Sequence, residues 1–365
     1  MASTKSVLTI SADQITDAVI TSYKAKRALL LIGPPGIGKT AFVHEAGDHM
    51  TLVYKEKVHV RELHLASMSE VDVRGYLVPQ GDYAKFTKPE FWADVEKYDR
   101  GILFLDEFPQ APHEVQKAVA TLIYEGRIGE YTLKPGWAVV LAGNGLEDNA
   151  GANTLLSHIV NRLSIVQVRA PDPDEWVNWA IAKQLEPEAI AFAKLRPDVV
   201  FSGTIPTEPN VPYCTPRSLH AVSDMAKAYH PDGLRKMVSE PLGMAMLTGL
   251  VGQGAMAELV GLVNTTMNLP SYDDVVRDPL GTLVPEKADL AYTMVMLAGS
   301  RCRAEHAAQV GAYLCRFKPN FTITGLAALG RRGPEYVTGP AILQWVMANQ
   351  HMMGKFAKYI SAATR

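Results

Sequence analysis

The chain has 365 residues, of which 47% are hydrophobic and 20% are charged, and its formal net charge is −2. This length and composition predict a globular protein of two or three domains with a core of ordinary size. The near-neutral charge excludes a chain that is basic throughout, as many nucleic-acid binders are, but it leaves room for a local basic channel.

Cysteine spacing and the distribution of apolar residues indicate in which cellular compartment the protein is expected. The three cysteines, Cys214, Cys302 and Cys315, form no C-x-x-C pair and accompany no histidine cluster, so we expect reduced, buried thiols. The first residues lack the apolar core of a signal peptide, and no run of about 18 apolar residues occurs. We therefore expect a cytoplasmic protein with no membrane partner.

The first elements along the chain surround a glycine-rich segment. Ser11 can cap a helix with apolar residues at helical spacing, and residues 27–32 are typical of a buried strand. The next eight residues match the phosphate-loop pattern G-x-x-x-x-G-K-T. They are Gly33, Pro34, Pro35, Gly36, Ile37, Gly38, Lys39 and Thr40.

This segment suits a nucleoside triphosphate, expected to be ATP, with its Mg²⁺ ion. The backbone N–H groups of a glycine-rich loop and the N-terminus of the helix after it attract phosphate. Lys39 is expected to reach the β- and γ-phosphates, and the Thr40 hydroxyl is expected to bind Mg²⁺. The pattern therefore predicts nucleotide binding.

Two adjacent carboxylates follow a second apolar run. Residues 62–66 predict one strand, and the run from Gly101 to Leu105 predicts another that ends at Asp106 and Glu107. The carboxyl edge of a parallel sheet is where ligands bind in such folds. We expect Asp106 to hold Mg²⁺ through its water shell and Glu107 to orient the attacking water.

A helix, a hairpin and another strand come next. Residues 113–125 carry one apolar stripe, residues 127–134 alternate as a hairpin does, and residues 137–144 predict a buried strand. Asn144 stands at the end of that strand. From the residues alone it either contacts the γ-phosphate or the attacking water, or it turns the chain between two glycines.

The order of these motifs resembles that of the AAA+ ATPases. The phosphate loop, Leu105-Asp-Glu107, Gly143-Asn144, Asn161-Arg162 and Thr215-Pro-Arg217 follow one another as in that family, within residues 25–230. More narrowly, the chain resembles the MoxR-like branch, whose members carry an insertion in helix 2 and a hairpin before the sensor-1 strand. The sequences of residues 106–116, 125–131 and 137–144 are similar to those typical of that branch.

The resemblance implies roles for three residues. Asn144 takes the sensor-1 position, and Arg162 takes the arginine-finger position, from which it would reach the γ-phosphate of a neighbouring subunit. The family usually ends that helix in Arg-Phe, whereas this chain has Leu163, a departure that affects packing. Arg217 resembles sensor 2, and its place in the first turn of a helix capped by Thr215 favours an anionic partner.

The helix-2 insertion matches residues 71–92. Its aromatic residues Tyr76, Tyr83 and Phe86 lie around the turn-forming residues 79–82. In a ring these side chains would face a central pore and grip a substrate chain, or they would pack against their own hairpin.

The second half of the chain is predicted to be helical. Residues 171–174 form a hinge or a helix cap, and helices follow over 175–180, 187–195 and from 215. Residues 243–262 resemble close-packed helix with five glycines, which leave the place of a break open. A linker is expected over 269–281, with further helices over 288–316 and 340–360. The predicted fold class is therefore α/β: an AAA+ core of parallel sheet and helices (1–172), an α-helical lid (173–265) and a helical C-terminal extension (266–365).

Three functions are compatible with these features. The first is a ring-forming ATPase, expected to be a hexameric homo-oligomer, that remodels or activates a protein partner, which the resemblance suggests carries a von Willebrand factor A domain. The second is a nucleic-acid motor, for which Lys85, Lys88, Arg127 and Lys134 on the two hairpins would contact phosphates. The third is a nucleotide-gated switch with little turnover, which the presence of both Glu107 and Arg162 disfavours.

Overall fold

The computed structural model describes residues 8–145, 153–202, 206, 208 and 211–350. The chain divides into two compact units, Met1–Pro171 and Asp172–Arg365. The first unit contains the described strands, and the second is built from helices.

The strands of the first unit form one large sheet and two hairpins. In chain order they are β1 (Thr9–Ile10), β2 (Leu29–Ile32), β3 (Val58–His64), β4 (Leu77–Gln80), β5 (Tyr83–Phe86), β6 (Arg100–Asp106), β7 (Arg127–Ile128), β8 (Tyr131–Thr132), β9 (Trp137–Gly143) and β10 (Ser164–Val168). The sheet has six parallel strands in the order β1-β10-β2-β9-β6-β3. The predicted parallel sheet is confirmed.

The central strands of the sheet are apolar along their whole length because both faces are covered. Alternate residues serve different cores, as the two-residue period of a strand requires. Leu30, Leu103 and Leu141 belong to the core on one face. Leu31 and Phe104 belong to the core on the other face.

Helices cover these two faces. The helices of the described residues are, in chain order, α1 (Ile15–Ala25), α2 (Lys39–Tyr54), α3 (Glu70–Arg74), α4 (Phe91–Lys97), α5 (His113–Glu125), α6 (Ser157–Val160), α7 (Pro173–Ala182), α8 (Pro187–Leu195), α9 (Pro197–Val200), α10 (Pro216–Tyr229), α11 (Leu234–Val238), α12 (Pro241–Val251), α13 (Gln253–Thr266), α14 (Tyr272–Arg277), α15 (Ala288–Ser300), α16 (Ala307–Leu314), α17 (Pro319–Gly330) and α18 (Pro340–Ala348). Helices α1 and α2 contribute to the core that contains Leu31, whereas α4 and α5 contribute to the core that contains Leu30. The predicted helix 113–125 is confirmed at both ends.

The two predicted hairpins are also present. Strands β4 and β5 pair antiparallel around Gly81, and β7 and β8 pair around Gly129. Both glycines have positive φ angles, +70° and +56°, as tight hairpin turns require.

The second unit is helical, and its helix boundaries differ from those predicted from the sequence in three places. The predicted helix over 243–262 is interrupted at Gly252, whose φ is +80° and whose added Cβ would lie 2.3 Å from the Pro212 carbonyl oxygen. The predicted linker contains α14, whose first turn is capped by Ser271. The predicted helix over 288–316 is two helices, α15 and α16.

The division of the second half at residue 265 stays a prediction. The second unit has two cores, and α15 contributes to both: Tyr292 and Met296 to the core of the earlier helices, Met294 and Val295 to the core of the later ones. Of the predicted helix 340–360, residues 340–348 are helical and residues 351–360 lie outside the described residues. Within the described ranges, no helix has both the length and the apolarity needed to cross a membrane.

A pair of buried carboxylates lies at the start of α8. The Glu188 side chain is 0% exposed, and Arg235 donates from Nε to its Oε1 at 2.9 Å. Glu186 is buried beside it, with the Arg301 guanidinium 4.0 Å from its Oε2. Burial, and next the charge of Glu188, raise the pKa of Glu186.

We expect Glu186→Gln to raise the free energy of unfolding more at neutral pH than at acidic pH. A carboxyl whose pKa is raised by folding keeps its proton in the folded chain after the unfolded chain has lost it. Stability therefore falls as the pH rises from the ordinary glutamate pKa through the raised one, and the amide removes this loss. Urea unfolding at about pH 5 and about pH 8 measures the difference.

Glu240→Gln is the matched control with the opposite sign. Lys236, and next Tyr229, lower the pKa of Glu240, so its carboxylate contributes stability at neutral pH that disappears as the pH falls. Parallel pH curves for the wild type and Glu186→Gln would contradict the interpretation of Glu186.

Candidate functional site

The glycine-rich segment forms the turn between β2 and α2, and neighbouring strands fix it in place. Gly36 and Gly38 have φ angles of +78° and +90°, a conformation that costs glycine little. Gly33 donates its backbone N–H to the Gly143 carbonyl at 3.2 Å. A Cβ at Gly33 would lie 2.4 Å from the carbonyl oxygen of Val168, so no larger residue fits there.

Lys39 points back into this turn from the first position of α2. The residue is buried, with 8% of its surface exposed. Its ammonium donates to the Gly33 carbonyl at 2.7 Å, the Pro34 carbonyl at 3.0 Å and the Asn144 Oδ1 at 3.2 Å. The structure thus brings together Lys39 and Asn144, two of the predicted site residues.

Thr40 and the two acids at the end of β6 form the other side of the site. The Thr40 hydroxyl donates to Asp106 Oδ2 at 3.1 Å, and the backbone N–H of Glu107 donates to Asp106 Oδ1 at 2.9 Å. Glu107 is exposed, and its φ of +56° places it in the left-handed region. Such a conformation is uncommon for a residue with a Cβ and is found most often at turns and functional sites.

Gln110 is a site residue that the sequence pattern missed. It closes the short 3₁₀ turn Phe108–Gln110 that follows Glu107. Its Nε2 donates to the Asn144 carbonyl at 3.2 Å, and its Oε1 accepts from the Asn144 N–H at 3.4 Å. The turn after β6 is therefore bonded to the end of β9, and it links the backbone of Glu107 to that of Asn144.

Arg162 follows α6 and lies on the surface of the first unit. Its guanidinium stacks over the Tyr124 ring, with the Cζ atom 4.2 Å from the ring centre. A cation held on an aromatic face keeps its charge available to solvent while its direction is restricted. Among the described residues, Arg162 makes no hydrogen bond or ion pair with the phosphate loop.

Arg217 belongs to the second unit. It is exposed in the first turn of α10, after Thr215, whose Oγ1 accepts from the Ser218 N–H at 3.0 Å. The predicted capping of α10 by Thr215 is confirmed. A role for Arg217 at the nucleotide stays a prediction.

The residues brought together fit the phosphates of a nucleotide and a magnesium ion. The turn from Gly33 to Gly38 precedes a helix of 16 residues, whose N-terminus favours anions. The Thr40 hydroxyl and the Asp106 carboxylate are the hard oxygen donors that Mg²⁺ prefers. An ammonium, a hydroxyl, a carboxylate and an amide therefore lie at one edge of the sheet.

Glycine at position 143 allows the turn after β6 to approach β9. A Cβ there would lie 2.2 Å from Pro109 Cδ and 2.8 Å from Gln110 Oε1. We expect Gly143→Ala to lower the free energy of unfolding by about 1–3 kcal/mol, because the turn must move away. Chemical denaturation measures this loss, and Gly249→Ala, where an added Cβ meets nothing within 4 Å, is the control. Equal unfolding midpoints for Gly143→Ala and the wild type would contradict the close approach.

Comparison with known proteins gives a sequence match over part of the chain. Residues 28–162 match the family described as AAA domain (dynein-related subfamily). None of the curated proteins is similar enough to the chain to count as a match.

Several solved structures are similar at low scores. NtrX from Brucella abortus in complex with ADP is 15% identical, with a TM-score of 0.40 over 94% of this chain and 68% of that chain. A RuvB point mutant from Thermotoga maritima is 14% identical, with a TM-score of 0.40 over 74% of this chain and 75% of that one. Hsp104 in its closed state with ATPγS and FITC casein is 16% identical, with a TM-score of 0.34 over 47% of this chain and 35% of that one.

Since these scores are low, the similarity of this chain to a known family rests on the sequence match alone. It covers the phosphate loop, Asp106, Glu107, Asn144 and Arg162. The segment of this chain from residue 28 to residue 162 is therefore similar to an AAA domain.

Proposed function

We propose that the chain is an ATPase that hydrolyses ATP to ADP and phosphate with the help of Mg²⁺. The observation that supports this most is the convergence of Lys39, Asn144, Thr40 and Asp106 at the carboxyl edge of β2, β9 and β6. The Lys39 ammonium would give up its hydrogen bonds to the loop carbonyls and bind the β- and γ-phosphates instead. The Thr40 hydroxyl would bind the magnesium ion and Asp106 would hold it through water, and these two side chains are already hydrogen-bonded to each other at 3.1 Å.

Glu107 would orient the attacking water. Its left-handed backbone turns the chain sharply at the end of β6, and its exposed side chain is free to face a bound triphosphate. Phosphoryl transfer needs positioning and electrostatic stabilisation more than covalent help, so a carboxylate at the end of β6 and the Asn144 amide at the end of β9 suffice for the water. Gln110 supports this arrangement through its two bonds to the Asn144 backbone.

We propose further that the active form is a ring, expected to be a hexamer, as in the MoxR-like branch. Arg162 would then reach the nucleotide of the neighbouring subunit and neutralise charge in the transition state. Its exposure and its stacking on Tyr124 support a finger that is presented outward. Arg217 of the second unit would respond to the nucleotide state.

The exposed hairpin of β4 and β5 favours a protein partner over a nucleic acid. Tyr76 is 64% exposed and Tyr83 is 60% exposed, beside the exposed Leu77 and Val78. Packing within their own hairpin therefore leaves most of these side chains exposed. Their apolar surface is available to a partner. We propose a protein substrate or adaptor, in line with the von Willebrand factor A partners of the resembling branch.

The cations proposed for a nucleic-acid motor are already paired with carboxylates. Lys85 lies 3.1 Å from Glu130, Arg127 lies 2.6 Å from Glu125 and Lys134 lies 2.9 Å from Asp99. Lys88 pairs with Glu96. Pairs of this kind on the surface add little stability, but they cancel the positive potential that a phosphate backbone needs.

We expect Glu107→Gln to bind ATP with nearly wild-type affinity and to lose turnover by roughly 10²–10⁴-fold. The amide keeps the size of the side chain but cannot accept the proton of the attacking water. Phosphate release and fluorescent-nucleotide binding measure the two effects, and Lys39→Ala, expected to lose binding itself, is the control. Wild-type turnover in Glu107→Gln would exclude Glu107 from the chemistry.

The same variant identifies the class of substrate. With ATP bound and not hydrolysed, Glu107→Gln is expected to retain a stoichiometric protein partner from its native host, whereas Lys39→Ala retains none. Nuclease treatment is expected to leave the captured partner unchanged. Capture of nuclease-sensitive DNA or RNA, without such a protein, would contradict the remodelling function and support a nucleic-acid motor.

We expect Arg162→Ala to bind ATP and to lose turnover by roughly 10³–10⁵-fold. If the finger acts on the neighbouring nucleotide, mixing Arg162→Ala with Lys39→Ala subunits restores part of the activity, because some interfaces then combine an intact phosphate loop with an intact finger. Phosphate release of mixed and unmixed samples measures the rescue. Co-assembly without rescue would contradict a finger that acts between subunits, and turnover by the wild type would exclude a nucleotide switch without hydrolysis.

A further inference from the structure

Ligand-type side chains that the nucleotide chemistry does not use lie beside Asp106. Among the described residues, Glu62, His64 and Asp106 each offer one ligand atom, and these atoms lie within 4.8 Å of one another. His64 Nε2 is 3.7 Å from Glu62 Oε1. His44 joins the group from α2, with its Nε2 3.3 Å from Glu62 Oε2.

The fold explains why these residues meet. Glu62 and His64 are two positions apart on β3 and therefore share one face of the sheet. The parallel pairing of β3 with β6 sets His64 directly opposite Asp106. On α2, Thr40 and His44 are four residues apart on one face of the helix, and they reach Asp106 and Glu62 respectively.

We propose that Glu62, His64 and Asp106 bind a late first-row transition-metal ion, with Zn²⁺ as the natural candidate, at a site next to the nucleotide. An imidazole nitrogen with carboxylate oxygens is a donor set that Zn²⁺ accepts, whereas Mg²⁺ prefers oxygen donors and water. Three protein ligands leave one tetrahedral position for water. His44 orients Glu62 through the second carboxylate oxygen, as outer hydrogen bonds do at metal sites.

The three ligand atoms, which lie within 4.8 Å of one another, must come closer together around an ion. Ligand atoms around a tetrahedral zinc ion lie about 3.3 Å apart, given bonds of about 2.0–2.1 Å. The distance between His64 and Glu62 is already close to this value, and the His64 side chain is 60% exposed, so it can rotate toward an ion. The same exposure leaves a path for the ion from solvent.

The thiols of the chain do not compete for this ion. Burial raises the pKa of Cys214 to about 12 and that of Cys315 to about 11. Burial also raises the pKa of Cys302. Since the thiolate is the form that binds metal, these protonated cysteines are poor ligands at neutral pH.

The test is metal binding by the full chain without nucleotide, so that its result does not depend on ATP hydrolysis. After treatment with a chelator and dialysis, Zn²⁺ is titrated by calorimetry and Co²⁺ by visible absorption. We expect one ion per chain, ligand-field bands without an intense thiolate-to-cobalt band, and binding that persists in millimolar Mg²⁺. No saturable binding, a thiolate band, or full displacement by Mg²⁺ would overturn the proposal.

Variants assign the ligands. We expect His64→Asn and Glu62→Gln each to weaken binding by more than tenfold and His44→Asn to weaken it by about tenfold, since it acts through Glu62. His49→Asn, an exposed histidine on the same helix as His44, is the control and should bind as the wild type does. Unfolding curves verify that each variant is folded. Unchanged affinity in both His64→Asn and Glu62→Gln would overturn the site.

Discussion

The position of β9 between β2 and β6 is the constraint on which the candidate site depends. Because β9 pairs with both strands, its last residues lie between the phosphate loop and the acidic end of β6. The Gly143 carbonyl accepts a hydrogen bond from the Gly33 N–H, and Asn144 Oδ1 accepts one from the Lys39 ammonium. The parallel direction of all three strands brings their carboxyl ends to one edge, where backbone and side-chain donors can converge on a single ligand.

The turn after β6 adds a second constraint, because it joins two residues that we propose to act on one water molecule. Glu107 adopts a left-handed conformation, which costs a residue with a Cβ free energy that the surroundings must offset. Gln110 bonds twice to the backbone of Asn144, and the missing side chain of Gly143 lets the turn come close. The two residues are therefore connected through one short segment.

On the two hairpins of the first unit, the basic side chains are paired and the aromatic side chains are exposed. Lys85 and Glu130 form an ion pair between the two hairpins, so the basic residues of both hairpins contribute little net potential. The exposed rings of Tyr76 and Tyr83, in contrast, stay uncovered. A surface of this kind suits a polypeptide partner, whose side chains can bury apolar area, better than a polyanion, whose phosphates need unpaired cations.

The sequence by itself determined the elements whose signals are local. The phosphate loop, the two hairpins, the helix 113–125 and the cap at Thr215 depend on residues that are near in the chain, so their patterns were sufficient. Tertiary structure decided the contacts between distant segments: Lys39 with Asn144 at a separation of 105 residues, and Thr40 with Asp106 at 66. No local sequence pattern marks Gln110, because its role depends on hydrogen bonds to Asn144, which is distant in the sequence. Likewise, Gly252 interrupts a helix because the Pro212 carbonyl approaches it, and no pattern in the surrounding sequence reveals that neighbour.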